Sequence, residues 1–110
     1  MREIRLEGEK AKDILGFLSE RYTSKGSFLK TVNSYQFGVF VWDKYYIRIK
    51  GSLSATIIYE SSEPSRVHIL VIGAGGRYGP FTLGSESAIE EEVLAGIEEY
   101  AGTQGMSVIE

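Results

Sequence analysis

The stretch Gly73-Ala74-Gly75-Gly76-Arg77-Tyr78-Gly79-Pro80 carries the residue types most able to do chemistry. Its bare backbone N–H groups are unshielded by side chains, and it holds one guanidinium and one phenol. Such a loop ahead of a helix can hold an anion. The spacing does not fit the known phosphate loops. A dinucleotide fingerprint needs G-x-G-x-x-G opening straight into a helix, whereas here Pro80 follows Gly79 and the first helix-start signature is at Ser87. The Gly-Lys-Ser/Thr of a P-loop is absent. Glu86, Glu90, Glu91 and Glu92 crowd the helix start and repel phosphate, which Arg77 alone does not offset. The expected role is a tight bend after a strand, presenting Gly75, Gly76, Arg77, Tyr78 and Gly79, with His68 nearby, to a neutral or cationic group or to a protein surface.

His68 is the single histidine. It falls mid-strand with no serine or carboxylate partner evident in sequence, so a structural histidine is expected and no catalytic residue is assigned. The chain has no cysteine, which removes disulfides, thiolate metal sites and thiol nucleophiles. Glu90-Glu91-Glu92 and Glu98-Glu99 lack a second ligand cluster and read as the solvated face of a helix, so no metal and no cofactor are expected. Lys44-Tyr45-Tyr46-Ile47-Arg48-Ile49-Lys50 interleaves basic and aromatic residues. In an extended chain Lys44, Tyr46, Arg48 and Lys50 share a face, an arrangement on which single-stranded nucleic acid can stack and pair. The net charge of −3 opposes it, and a strand edge guarded by cations is the simpler account.

The elements that must position these residues follow from periodicity. Residues 2–7 alternate as a strand. From Glu9 to Tyr22, the residues Ala11, Ile14, Leu15, Leu18 and Tyr22 recur at three and four, predicting a helix that Gly26 stops. Between Ser27 and Ile72 the chain is rich in β-branched and aromatic residues, and the spacing predicts strands at 27–35, 36–42, 52–60 and 65–73, with 45–50 extending the second or standing alone. Turns are expected at Asn33-Ser34, Asp43-Lys44, Gly51-Ser52 and Ser61-Ser62-Glu63-Pro64. Both faces of 65–73 are apolar toward its end, which marks a central strand. Ser87-Ala88-Ile89-Glu90 fits a capping box, with Ile89, Val93, Leu94, Ile97 and Tyr100 as the buried stripe and Gly102 as the stop.

The order strand, helix, four or five antiparallel strands, helix implies an α+β two-layer sandwich, with a curved antiparallel sheet and both helices on one face. Residues 1–102 form a single domain, and 103–110 a tail or a short added strand, the tail favoured. The topology is similar to that of TATA-box-binding-protein-like and helix-grip folds. Asp43-Lys44-Tyr45-Tyr46-Ile47-Arg48, Ser52-Leu53-Ser54-Ala55-Thr56 and Gly75-Gly76-Arg77-Tyr78-Gly79-Pro80-Phe81 resemble a family of small uncharacterised prokaryotic proteins defined by a domain of unknown function. That resemblance implies no activity. The family has a further glycine and an amide where this chain has Arg77 and Tyr78.

The chain's 110 residues suffice for one core. No apolar run approaches the ~18 residues of a membrane span, and the N-terminus lacks a signal-peptide core, which predicts a cytoplasmic protein. Aromatic residues make up 12% of the chain, more large apolar surface than two amphipathic helices can cover. The functional expectation is therefore a non-catalytic binding or interaction domain, self-associating as a homodimer or meeting a protein partner. The alternatives are a small-ligand protein using the Gly73–Pro80 loop and a weak nucleic-acid binder through 44–50.

Overall fold

Period-two alternation dominates the middle of the chain, and in the computed structural model, which describes residues 1–47, 50–75 and 85–109, it becomes a six-stranded antiparallel sheet. The strands are β1 (Arg2–Glu7), β2 (Gly26–Val32), β3 (Tyr35–Tyr46), β4 (Gly51–Glu63), β5 (Arg66–Gly75) and β6 (Ser107–Ile109), in the spatial order β2-β3-β4-β5-β1-β6. A 3₁₀ turn at Ala11–Asp13 leads into helix α1 (Ile14–Arg21), and helix α2 spans Ser85–Thr103. The fold is α+β. No helix among the described residues is long and apolar enough to cross a membrane.

Register lines up the core. Phe40, Ile57 and Val71 are neighbours across β3, β4 and β5, while Tyr59, Ile69 and Ile4 are neighbours across β4, β5 and β1. All six are buried, in one cluster with Ala11, Ile14, Leu18 and Tyr22 and with Ile89, Val93, Ile97 and Ala101 of α2. The residues at helical spacing in sequence thus belong to the same buried cluster as the strand residues, and each fully buried aliphatic side chain contributes roughly 1.5–3 kcal/mol. β5 lies inside the sheet, with Val67, Ile69 and Val71 buried and His68, Leu70 and Ile72 half-buried on the opposite face.

Several local expectations are corrected. Asp43-Lys44 is no turn: β3 continues to Tyr46, because Asp43 and Lys44 pair with Ser54 and Leu53 and their side chains find partners at Ser24 and Glu92. Gly26 does not stop α1 but opens β2, at φ 148°. Helix α2 begins at Ser85, and Glu90 does not close a box with Ser87, because its carboxylate accepts the Gly73 N–H at 2.8 Å. Gly102 lies within α2. The stop is Gly105, at φ 71°, where Met106 N–H donates to Ala101 O and Gly105 N–H to Gly102 O, the paired bonds of a Schellman motif. That reversal returns the chain along β1, so Ser107–Ile109 adds a strand where a tail was favoured, with Val108 opposite Leu6.

The helices approach closely at Gly96, where an added Cβ would lie 2.5 Å from the Tyr22 hydroxyl oxygen. The Tyr22 ring is buried and packs edge-on against Phe17 and Trp42, with centroids 5.8 and 5.1 Å away, so it has little room to retreat. On propensity alone Gly96→Ala would stabilise a helix by about 1 kcal/mol. Here overpacking is expected to outweigh that gain and leave a net loss of ~1–2 kcal/mol, read from the urea midpoint.

Candidate functional site

Gly73, Ala74 and Gly75 do not bend. They are the end of β5, paired with Ala55, Ser54 and Leu53. Gly75 has φ 96°, and a Cβ there would lie 3.3 Å from Ser52 O, so glycine is needed for both conformation and space. Gly76, Arg77, Tyr78 and Gly79 lie outside the described residues. His68 precedes Gly75 by seven residues on the same strand, roughly 23 Å at the rise of an extended chain, so these two candidates do not share a site.

His68 is instead the centre of a polar cluster. Its Nδ1 lies 3.0 Å from Glu60 Oε1, and Tyr35 donates its hydroxyl to Glu60 Oε2 at 3.0 Å. Its Nε2 is buried, without a hydrogen-bond partner, 3.4 Å from Glu3 Oε1. One imidazole on β5 therefore stands between carboxylates from β4 and β1. The bonds from His68 and then Tyr35 hold the Glu60 carboxyl below its ordinary range. Beside this cluster is a cavity of about 400 Å³, lined among others by Arg5, Tyr35, Glu60, Ser62, Arg66 and His68. The irregularity between Glu60 and Glu63, where the β4–β5 ladder is interrupted, contributes Glu60, Ser61 and Ser62 to its lining. Sequence reasoning missed Glu60 as the histidine's partner. The Ser-Ser-Glu-Pro turn could have revealed it, since a hairpin centred on Pro64 puts residues 60 and 68 opposite each other.

The alternative basic-aromatic face takes a different place. Lys44 and Tyr46 do share a face, but both reach α2: Lys44 Nζ lies 2.9 and 2.7 Å from the Glu92 carboxylate oxygens, and the Tyr46 hydroxyl donates to Glu92 Oε1 at 2.9 Å. Burial pushes the Glu92 carboxyl up, but Lys44 and Tyr46 outweigh it and leave it lowered. Lys50 is exposed at the hairpin tip, at φ 52°, and Arg48 lies outside the described residues. The cation and ring offered for stacking are thus engaged within the chain.

The opposite face of the sheet is where apolar surface is left over. Phe28, Val39, Ile58 and Leu70 are consecutive neighbours across β2, β3, β4 and β5 on that face, and Val41, Thr56 and Ile72 form a second row. Phe28 is 57% exposed, and the other six are half-buried. Lys30 stands on this face at β2, while Glu3 and Glu7 stand on it at β1. Sequence reasoning anticipated that Val39 and Val41 oppose Phe40 and Trp42. It did not find Phe28 and Leu29 at a sheet edge.

The carboxyls of Glu60, Glu90 and Glu92 are all held below their ordinary range. For Glu90, burial raises it and the bonds from the Gly73 N–H and the terminal ammonium outweigh burial. A depressed folded pKa means that the stability these groups contribute is complete above the unfolded carboxylate value of about 4.3 and is lost as pH falls through their folded values. Urea midpoints should hold steady down to about pH 5 and fall below it, and Glu92→Gln should reduce that fall.

No family model, no curated protein and no solved structure matches the chain, and the family resemblance rests on the three segments quoted from its sequence.

Proposed function

We propose that this chain is a binding domain without catalytic chemistry that associates with a second copy of itself. In this reading it is a two-layer sandwich with both helices on one face of the sheet and the other face open. The observation that carries the proposal is the registered apolar row Phe28, Val39, Ile58 and Leu70, ending in a strand exposed along its whole length. A contiguous apolar surface of this kind marks an interaction site. The His68 geometry supports binding over catalysis. Nδ1 is engaged by Glu60 and Nε2 is buried, so neither ring nitrogen is placed to take a proton from a substrate. The Lys44–Glu92 ion pair weighs against nucleic acid, since contact with phosphate would have to displace a carboxylate.

Multi-angle light scattering tests the proposal. A dimer mass is expected at about 100 μM, with dissociation on dilution into the low micromolar range; a monomer mass at the higher concentration overturns it.

The cavity beside His68 supports a second reading, a small polar ligand held by Arg5, Arg66 and the hydroxyls of Tyr35 and Ser62. Glutamate and inorganic phosphate at millimolar concentration are suitable probes. A rise in melting temperature that Arg5→Ala abolishes would favour it, and no shift with either would exclude these classes.

A further inference from the structure

We infer that the self-contact is made edge to edge, by antiparallel pairing of β2 with β2 of a second copy about a two-fold axis through Leu29, joining two sheets into one. The inference rests on the self-association proposed above and specifies its surface and register.

β2 is an edge strand, and all seven of its residues are exposed. Edges in soluble proteins are blunted by shortness, proline, bulges or charge. β2 has no proline, and its single charge is Lys30. Its large apolar side chains project on both faces, with Phe28 57%, Leu29 50% and Val32 49% exposed. The far edge of the sheet is β6, with only three residues. A β2-to-β6 contact would therefore pair few residues and would propagate copy after copy, whereas β2-to-β2 closes.

The register follows from symmetry. A two-fold axis normal to the sheet keeps matching faces on the same side, so directly opposed residues must share a face and the axis passes through a residue. Centring on Lys30 puts two ammonium groups opposite each other, which destabilises the pair. Centring on Phe28 leaves Thr31 and Val32 unpaired within the strands. Centring on Leu29 pairs all seven residues of Gly-Ser-Phe-Leu-Lys-Thr-Val. Leu29 then meets Leu29, Ser27 meets Thr31, Gly26 meets Val32, and Lys30 lies against the Phe28 ring, where a cation is attracted to the aromatic face. The apolar row Phe28, Val39, Ile58 and Leu70 then meets Lys30 and Phe37 of the second copy, and the two Phe28 rings become diagonal neighbours across the junction.

Because the chain has no cysteine, single-cysteine variants report on the contact directly. Leu29→Cys, Ile58→Cys on the open face and Val108→Cys on the β6 edge are each treated, at the concentration where light scattering gives a dimer, with copper-catalysed oxidation and with a short bis-maleimide. The expected result is covalent dimer from Leu29→Cys in large excess over the other two. Leu29→Lys, at a half-exposed position, is expected to weaken association by at least about tenfold with an unchanged circular dichroism spectrum. If a dimer forms but Ile58→Cys or Val108→Cys links in place of Leu29→Cys, the edge pairing is wrong and self-association stands. If the dimer persists at full strength in Leu29→Lys, the edge pairing is likewise wrong. If every form is monomeric, both fall together.

Discussion

Two carboxylates on one helix fix the relation between α2 and the sheet. Glu90 reaches the Gly73 N–H of β5, and Glu92 reaches Lys44 and Tyr46 of β3. Two residues apart, they project to different sides of the helix, so together they set its rotation as well as its position, while Ile89, Val93, Ile97 and Ala101 supply the apolar contact between them. Glu90 is 5% exposed. A carboxylate that deep is tolerated because a backbone donor and the terminal ammonium answer it. Deleting the acceptor would leave the Gly73 N–H without its partner at the end of a central strand.

The same docking explains why tempting motifs led elsewhere. Glu90 read as half of a capping box and Lys44 and Tyr46 read as a nucleic-acid face, yet all three are tertiary anchors of α2. Local chemistry in a sequence is ambiguous whenever a side chain has both a near partner and a distant one. For Glu90 the distant partner is a part-buried backbone N–H at the end of β5, and for Lys44 and Tyr46 it is the one carboxylate of Glu92 that answers both.

What the sequence made legible was governed by period. The threefold and fourfold spacing of both helices identified core residues such as Ile14, Leu18, Ile89 and Ile97, and the β-rich middle with its turn signals identified the α+β class, before any register was known. What it hid depends on register. Glu3 approaches His68 only because β1 inserts beside β5, 65 residues away. Phe28 and Leu29 are ordinary strand residues by composition and become exposed only because β2 is last in the sheet. Asp43-Lys44 looked like a turn because its charges interrupt an apolar run, but each charge has a partner that lets the strand continue.

The insertion of β1 between β5 and β6 also has a kinetic side. β2 to β5 form a meander whose hairpins close over short loops, whereas β1 pairs with residues some sixty to a hundred positions away. Closing those loops costs entropy before any contact rewards it, and non-local pairing of this kind slows folding. Until β1 arrives, the free edge of β5 is open, so the nascent chain has two unguarded sheet edges where the finished fold has β2 at one end and three residues of β6 at the other. β1 thus has the most distant partners of the six strands, and its pairing turns a sheet extensible at both ends into one extensible chiefly at β2.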